Sequence, residues 1–241
     1  MNSRSSPSAR RPPRNSVLRV ALTGGIACGK SVVSRIFESK GFFVHSADRA
    51  ARELVSPGGP AWDKIVRRFG PGILLPDRSI DRARLSGLVF SDPDARRFLD
   101  ALLHPLVLAE RTRVLRAVEK EGRHAVFASE AALTIEAGYD RHFDKVVVVH
   151  CDEPVQVRRL MERDGIGEEH ARRKIAAQLP RQEKLKRADY AIDTSGTLAE
   201  TIEQAERVCA LLIQDAGLMK GRRRRPSPSK GGPSAPGRAG T

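Results

Sequence analysis

No apolar run in this 241-residue chain approaches the ~20 residues that a membrane-spanning helix needs. The first sixteen residues, MNSRSSPSARRPPRNS, hold no apolar stretch of the kind a secretory leader requires. They are rich in Arg and Ser, as organelle transit peptides are, yet they lack an apolar face and carry three prolines, so they read as a disordered tail. Cysteine is scarce: Cys28, Cys151 and Cys209 are scattered, with no CxxC spacing. That pattern argues against a disulfide framework or a zinc site and points to a reducing cytoplasm. Acids are missing where bases abound. Residues 1–16 carry four arginines and residues 217–241 carry seven Lys or Arg, with no Asp or Glu in either stretch. These eleven charges account for most of the net +14 and leave about 3 for the body. The Pro-, Gly- and Ser-rich segment GRRRRPSPSKGGPSAPGRAGT cannot bury a core and reads as a solvated tail. Its other use would be weak, salt-dependent contact with RNA or another polyanion, not specific nucleic-acid recognition.

What the body does contain is a dense phosphate-binding signal. Residues 24–31 read GGIACGKS, the spacing G-x-x-x-x-G-K-[ST] carried by Gly24, Gly29, Lys30 and Ser31. Before it, VLRVALT (17–23) is apolar and partly β-branched, interrupted by Arg19, and predicts a strand buried on both faces. After it, Val32, Val33, Ile36 and Phe37 share one face of a helix that Gly41 stops, and Phe42–Val44 predicts a second strand. The glycines therefore sit between strand and helix in a β-α-β unit. Glycine opens backbone conformations closed to other residues. The amides of Gly25, Ile26, Ala27, Cys28, Gly29, Lys30, Ser31 and Val32 then form a nest for the phosphates of ATP, aided by the positive end of the helix. Lys30 is expected on the terminal phosphates and the Ser31 hydroxyl on Mg²⁺.

Strand and helix signals alternate from 17 to 215. HAVFAS (124–129), KVVVVH (145–150) and YAID (190–193) predict strands; 91–105, 106–121, 154–163, 168–178 and 198–212 predict helices. This predicts an α/β domain with a parallel sheet covered on both faces, ligands lying beyond the carboxyl ends of the strands. Residues 49–121 are too long and too helical for one crossover and predict a helical insertion. Residues 154–189, loaded with Arg and Lys, predict a lid over phosphates. Tails are expected at 1–16 and 216–241.

Further segments make the reading specific: SADRAARELVSPGGPAW (46–62), LLHPLV (102–107), EAALTIEAG (130–138) and ADYAID (188–193) follow VALTGGIACGKS (20–31) in order. In this the chain resembles the dephospho-CoA kinase family over about residues 17–215. The resemblance implies a three-layer P-loop fold with a five-stranded parallel sheet, a helical substrate domain and a lid. It implies transfer of the ATP γ-phosphoryl, with Mg²⁺, to the ribose 3′-hydroxyl of dephospho-CoA. Cysteine usage adds the expectation of a cytoplasmic protein, and a monomer is expected. Asp48 matches the family's second aspartate of D-A-D, which orients and deprotonates the acceptor hydroxyl; its other reading is a helix N-cap. Arg163 matches a lid arginine on the transferring group, with Arg159 close by. Thr23, Arg82, His104 and Glu136 match substrate positions, and Glu130 ends a strand where acids hold Mg²⁺ through water. The chain departs from the family at Ala27, Cys28 and Val32 in the loop, at Ser46 for the first aspartate of D-A-D, and at Thr194 where Asn is usual. An alanine at 27 is compatible with the cradle if its φ is negative. The competing readings are a P-loop kinase with a nucleoside or nucleotide acceptor, and a non-enzymatic polyanion binder.

Overall fold

The computed structural model describes residues 17–224. The expected tail at 1–16 and the part of the other beyond 224 lie outside the described residues. Five strands form one sheet: β1 (Leu18–Gly24), β2 (Phe43–Ser46), β3 (Val126–Glu130), β4 (Lys145–His150) and β5 (Tyr190–Asp193). They pair in parallel throughout, in the order β2-β3-β1-β4-β5. The expected five-stranded parallel α/β architecture is present.

The sheet explains why its strands are apolar without alternation. Leu18, Val20 and Leu22 of β1 enter one cluster with Val33 and Phe37 of α1 (Lys30–Ser39) and Val208 and Leu212 of α9 (Leu198–Arg224). Ala21 points to the opposite face, with Val146, Val148 and Ile135. A strand covered on both sides has no polar face to show. Arg19 is tolerated because its guanidinium donates to both oxygens of Asp144, at 2.9 and 2.7 Å. The last helix corrects the expected tail boundary. It continues past 215 through Arg224, and Ala216 is buried in the same core, so residues 216–224 are helix rather than tail.

Between β2 and β3 lie α2 (Ala47–Leu54), α3 (Trp62–Phe69), α4 (Arg82–Ser91) and α5 (Pro93–Glu121). They bury a core of their own around Trp62, Ile65, Ile73, Ile80 and Leu99. The chain's single tryptophan, Trp62, donates its indole N–H to the Arg78 carbonyl at 3.0 Å. The two helical stretches read at 91–105 and 106–121 are one helix. Asp92 caps it by accepting from the Asp94 N–H at 2.8 Å, Pro93 opens it, and Gly122 ends it in the left-handed region. Pro105 inside it withholds a donor from the Ala101 carbonyl, one turn back.

The lid segment comprises α6 (Glu153–Asp164), α7 (Glu168–Ala176) and α8 (Arg181–Leu185). α7 ends at Ala176, two residues short of the stretch read as helix, and Pro180 serves as N-cap of α8, a short helix that the sequence reading did not place. Among the described residues no helix is long and apolar enough to cross a membrane.

Candidate active site

Pairing register sets the site. Glu130 is the partner of both Leu22 in β1 and Ser46 in β2, and Gly24 is the partner of Val149 in β4. The strands β1, β2 and β3 thus end almost level, and everything beyond their carboxyl ends converges. From β1 comes the glycine loop; from β2, two residues on, comes Asp48.

The loop has the backbone its sequence asks for. Gly24 lies against β4, where a Cβ would collide with the Val149 carbonyl. Gly29, at φ 77°, turns the chain into α1. Ala27 also has a positive φ, 57°, so the condition set for it from sequence is not met: the cradle keeps its shape with an L-residue in the left-handed region. Ala27→Gly is therefore expected to stabilise the fold by about 1 kcal/mol, the left-handed penalty less glycine's extra chain entropy. Urea unfolding of the two proteins checks this, and a midpoint at or below wild type would remove the strain argument.

Lys30 Nζ donates to the carbonyls of Gly24 and Gly25 at 3.1 and 3.0 Å. Burial pushes its pKa down, while Cys28, Asp48 and Glu130 act the other way. Ser31 is exposed in the first turn of α1. Three side chains clamp the loop from outside. Gln178 accepts the Ile26 N–H and Gln156 donates to the Ile26 carbonyl, both at 2.8 Å. The Thr194 hydroxyl lies 3.1 Å from the Cys28 carbonyl and 3.2 Å from that of His150; its single proton serves one at a time. Arg159 in turn donates to the Thr194 hydroxyl and carbonyl, at 3.1 and 2.8 Å. Neither glutamine was singled out from the sequence. Threonine at 194, a departure there, proves to be a link between lid and loop.

Asp48 is not the cap of its helix. α2 starts at Ala47, and Ser46 caps it by accepting the Arg49 N–H at 3.4 Å. The position where the family has its first aspartate is thus filled by another good capping residue. Asp48 stands exposed in the first turn and lines a cavity of about 310 Å³. Opposite it are Asp100, His104, Val107 and Arg111 of α5, with Thr134, Tyr139 and Phe143 from the segment after β3. The walls are mostly apolar with a few convergent polar groups, as small-molecule sites are. Arg111 lies over the Phe143 ring at 4.7 Å, and burial lowers its pKa. It went unread in the sequence, although positions 100, 104, 107 and 111 share one helical face.

Of the other expected residues, His104 lies on this cavity, inside α5 and edge-on to Tyr139. Arg82 opens instead onto a separate cavity of about 320 Å³ with Arg52, Ser56 and Ser79. Thr23 is fully buried and donates to the Ala132 carbonyl at 3.2 Å, tethering the loop after β3. Glu136 contacts Lys184, whose side chain is 2% exposed, at 2.6 Å, and accepts the Leu179 N–H at 3.3 Å. It braces the lid's base and is not part of the Asp48 cavity wall. Arg163 is exposed and donates to neighbouring Asp164 at 2.8 Å; with Lys174 it holds that carboxyl down to about 2. Arg159, not Arg163, is the arginine held beside the loop.

The model of the dephospho-CoA kinase family matches residues 18–200. The chain belongs to the dephospho-CoA kinase family. Family members in curated collections include the dephospho-CoA kinase of Geobacillus kaustophilus, 45% identical over 203 residues that cover 84% of this chain and 99% of the relative. That of Geobacter sulfurreducens is 46% identical over 194 residues, covering 79% and 96%. Among solved structures, the dephospho-CoA kinase from Campylobacter jejuni superposes with a TM-score of 0.62 at 29% identity, over 82% of this chain and 98% of that one. The family match begins at the first strand and takes in the loop, the insertion, the lid and β5, the elements that build the site.

Proposed function

We propose that the chain transfers the γ-phosphoryl group of ATP to the ribose 3′-hydroxyl of dephospho-CoA, giving coenzyme A. The observation that carries the reading is the meeting of two sites. The amide cradle with Lys30 follows β1 and Asp48 follows β2 at the same end of the sheet, where Glu130 pairs with both Leu22 and Ser46, and Asp48 lines the cavity of about 310 Å³. In this reading the loop amides and Lys30 bind the ATP phosphates and draw charge from the transferring group. Asp48 orients the acceptor hydroxyl and takes its proton. A carboxylate is a weak base for an alcohol, but a loose transition state asks mainly for positioning. Arg111 faces the acceptor's pyrophosphate, and His104 and Tyr139 offer ring faces and edges to its adenine. Arg159 or Arg163 closes on the transferring phosphoryl with the lid.

The residues fit an Mg²⁺ carried in by the nucleotide. Such an ion takes most ligands from water and phosphates and one or two from protein. Ser31, exposed beside Lys30 at the start of α1, offers a hydroxyl, and Glu130 stands close enough to act on Lys30. Bound there, Mg²⁺ would neutralise charge on the nucleotide's phosphates. We take the protein as cytoplasmic, consistent with three free cysteines among the described residues, and as a monomer.

The test is a panel of acceptors at millimolar ATP with coupled detection of ADP. ADP release is expected with dephospho-CoA and not with nucleosides or nucleoside monophosphates. Turnover of a nucleoside in preference to dephospho-CoA would move the assignment to another small-molecule kinase.

A further inference from the structure

The phosphate loop contains a thiol that phosphoryl transfer does not use, and a second thiol lies against it. Cys28 is in the loop; Cys151 follows the last residue of β4, 123 positions away. Their sulfurs are 3.4 Å apart, the Cys151 S–H donating to Cys28 Sγ. Both residues are buried, at 3% and 2% exposure, yet both line a cavity of about 60 Å³ beneath the loop, beside Gly25, His150, Gln156 and Lys184.

We propose that Cys28 and Cys151 form a reversible disulfide site, and that closing it disables the phosphate cradle. A hydroperoxide is the oxidant class that fits. The cavity has room for a molecule the size of H₂O₂, whose bulk is near that of one or two waters at ~30 Å³ each.

The surroundings divide the roles. The Cys151 S–H and then the Lys30 ammonium stabilise negative charge on Cys28, bringing its pKa down to about 7 despite burial. Cys151, which gives the hydrogen bond and is itself desolvated, is pushed up. Cys28 is therefore the nucleophile. Its thiolate attacks one peroxide oxygen, the O–O bond breaks, and the other oxygen leaves as hydroxide, which takes up a proton to become water. Cys28 is then a sulfenic acid. The Cys151 sulfur attacks the Cys28 sulfur; the S–O bond breaks, and the departing hydroxide takes the Cys151 proton to leave as a second water. Two thiols lose two electrons and the peroxide gains them.

The bond needs S–S ≈ 2.05 Å, so the sulfurs must approach by about 1.4 Å. Cys151 is anchored at the end of a buried strand, while Cys28 sits between two positive-φ residues, Ala27 and Gly29. The loop is the side that yields. Its displacement shifts the amides that flank residue 28 and the start of α1, which bears Lys30. A misplacement of ~1 Å in a catalytic array costs ~10²-fold in rate.

The experiment uses the reduced full-length chain treated with H₂O₂. Peptide mass spectrometry without reductant should show a Cys28–Cys151 linked peptide, about 2 Da lighter than its two thiol parts together. In parallel, binding of a fluorescent ATP analogue and turnover should fall by ~10²-fold and return with dithiothreitol. Cys151→Ser should keep basal turnover and lose the dithiothreitol-reversible component. Cys209, in the sheet core with its pKa pushed up to about 11 by burial, is the internal control and should stay unlinked. The proposal is overturned if the linked peptide does not form while Cys28 is oxidised or unreacted, or if the linked protein binds ATP as the reduced one does. It is also overturned if Cys151→Ser is inactivated and rescued like wild type. The mapping and ATP-binding readouts do not depend on which acceptor the enzyme phosphorylates, so a failed acceptor panel leaves this test intact. They also decide the matter on the unaltered chain should Cys151→Ser fail to fold.

Discussion

Lys30→Ala is expected to lower kcat/KM for ATP by ~10³-fold, the scale of removing a preorganised charge from a reacting centre. Lys30 is the cation that the loop itself carries, and it is largely removed from water, where each charge contact counts for more than in solvent. In the structure it spans the carbonyls of Gly24 and Gly25, so it is preorganised at the mouth of the cradle. Alanine would remove that charge and free both carbonyls to reorient. The fold should survive, because a desolvated ammonium contributes little net stability once its desolvation is counted. Steady-state ADP release and a thermal melt on the same sample separate the two effects. Turnover within tenfold of wild type, with the melt unchanged, would mean that the cradle is not the nucleotide site.

Asp48→Asn should lower kcat by ~10² to 10⁴-fold, the range for a positioned acid–base group, with little change in KM for ATP. Asparagine keeps the shape and a hydrogen bond to the hydroxyl but cannot accept its proton. Asp48 is exposed and is not the N-cap of α2, so the stability effect is limited to its place at the positive end of the helix, ~0.3–1 kcal/mol. If kcat falls while the melting temperature holds, the loss belongs to chemistry. If kcat is unchanged, proton transfer does not pass through this side chain, and its place on the cavity wall is incidental.

The sheet was legible because its strands are short, β-branched and apolar on both faces; YAID and KVVVVH fall on β5 and β4 to the residue. The glycine loop was legible because few backbones other than a phosphate cradle need that spacing. What stayed hidden depends on contacts between distant positions. Gln178 and Gln156 reach Ile26 across 152 and 130 residues, and nothing local in their sequence announces a loop clamp. Arg159 and Arg163 stand one helical turn apart, so sequence could not say which faces Thr194. The sign of φ at Ala27 was set by loop closure against α1, not by alanine's own preference. The helical pattern was legible on both sides of Pro105, and packing of α5 against the insertion and β3 carries one helix through it.

Among the described residues, the helix that seals the sheet comes last in the chain. Val208, Leu212 and Ala216 of α9 cover Leu18, Val20 and Phe37, which are synthesised nearly two hundred residues earlier. Until α9 emerges, α1 covers only part of that face and the rest stays open to solvent, so this core cannot close before residue 216 is made. Prematurely terminated products would expose that face, making them natural clients for chaperones and proteases.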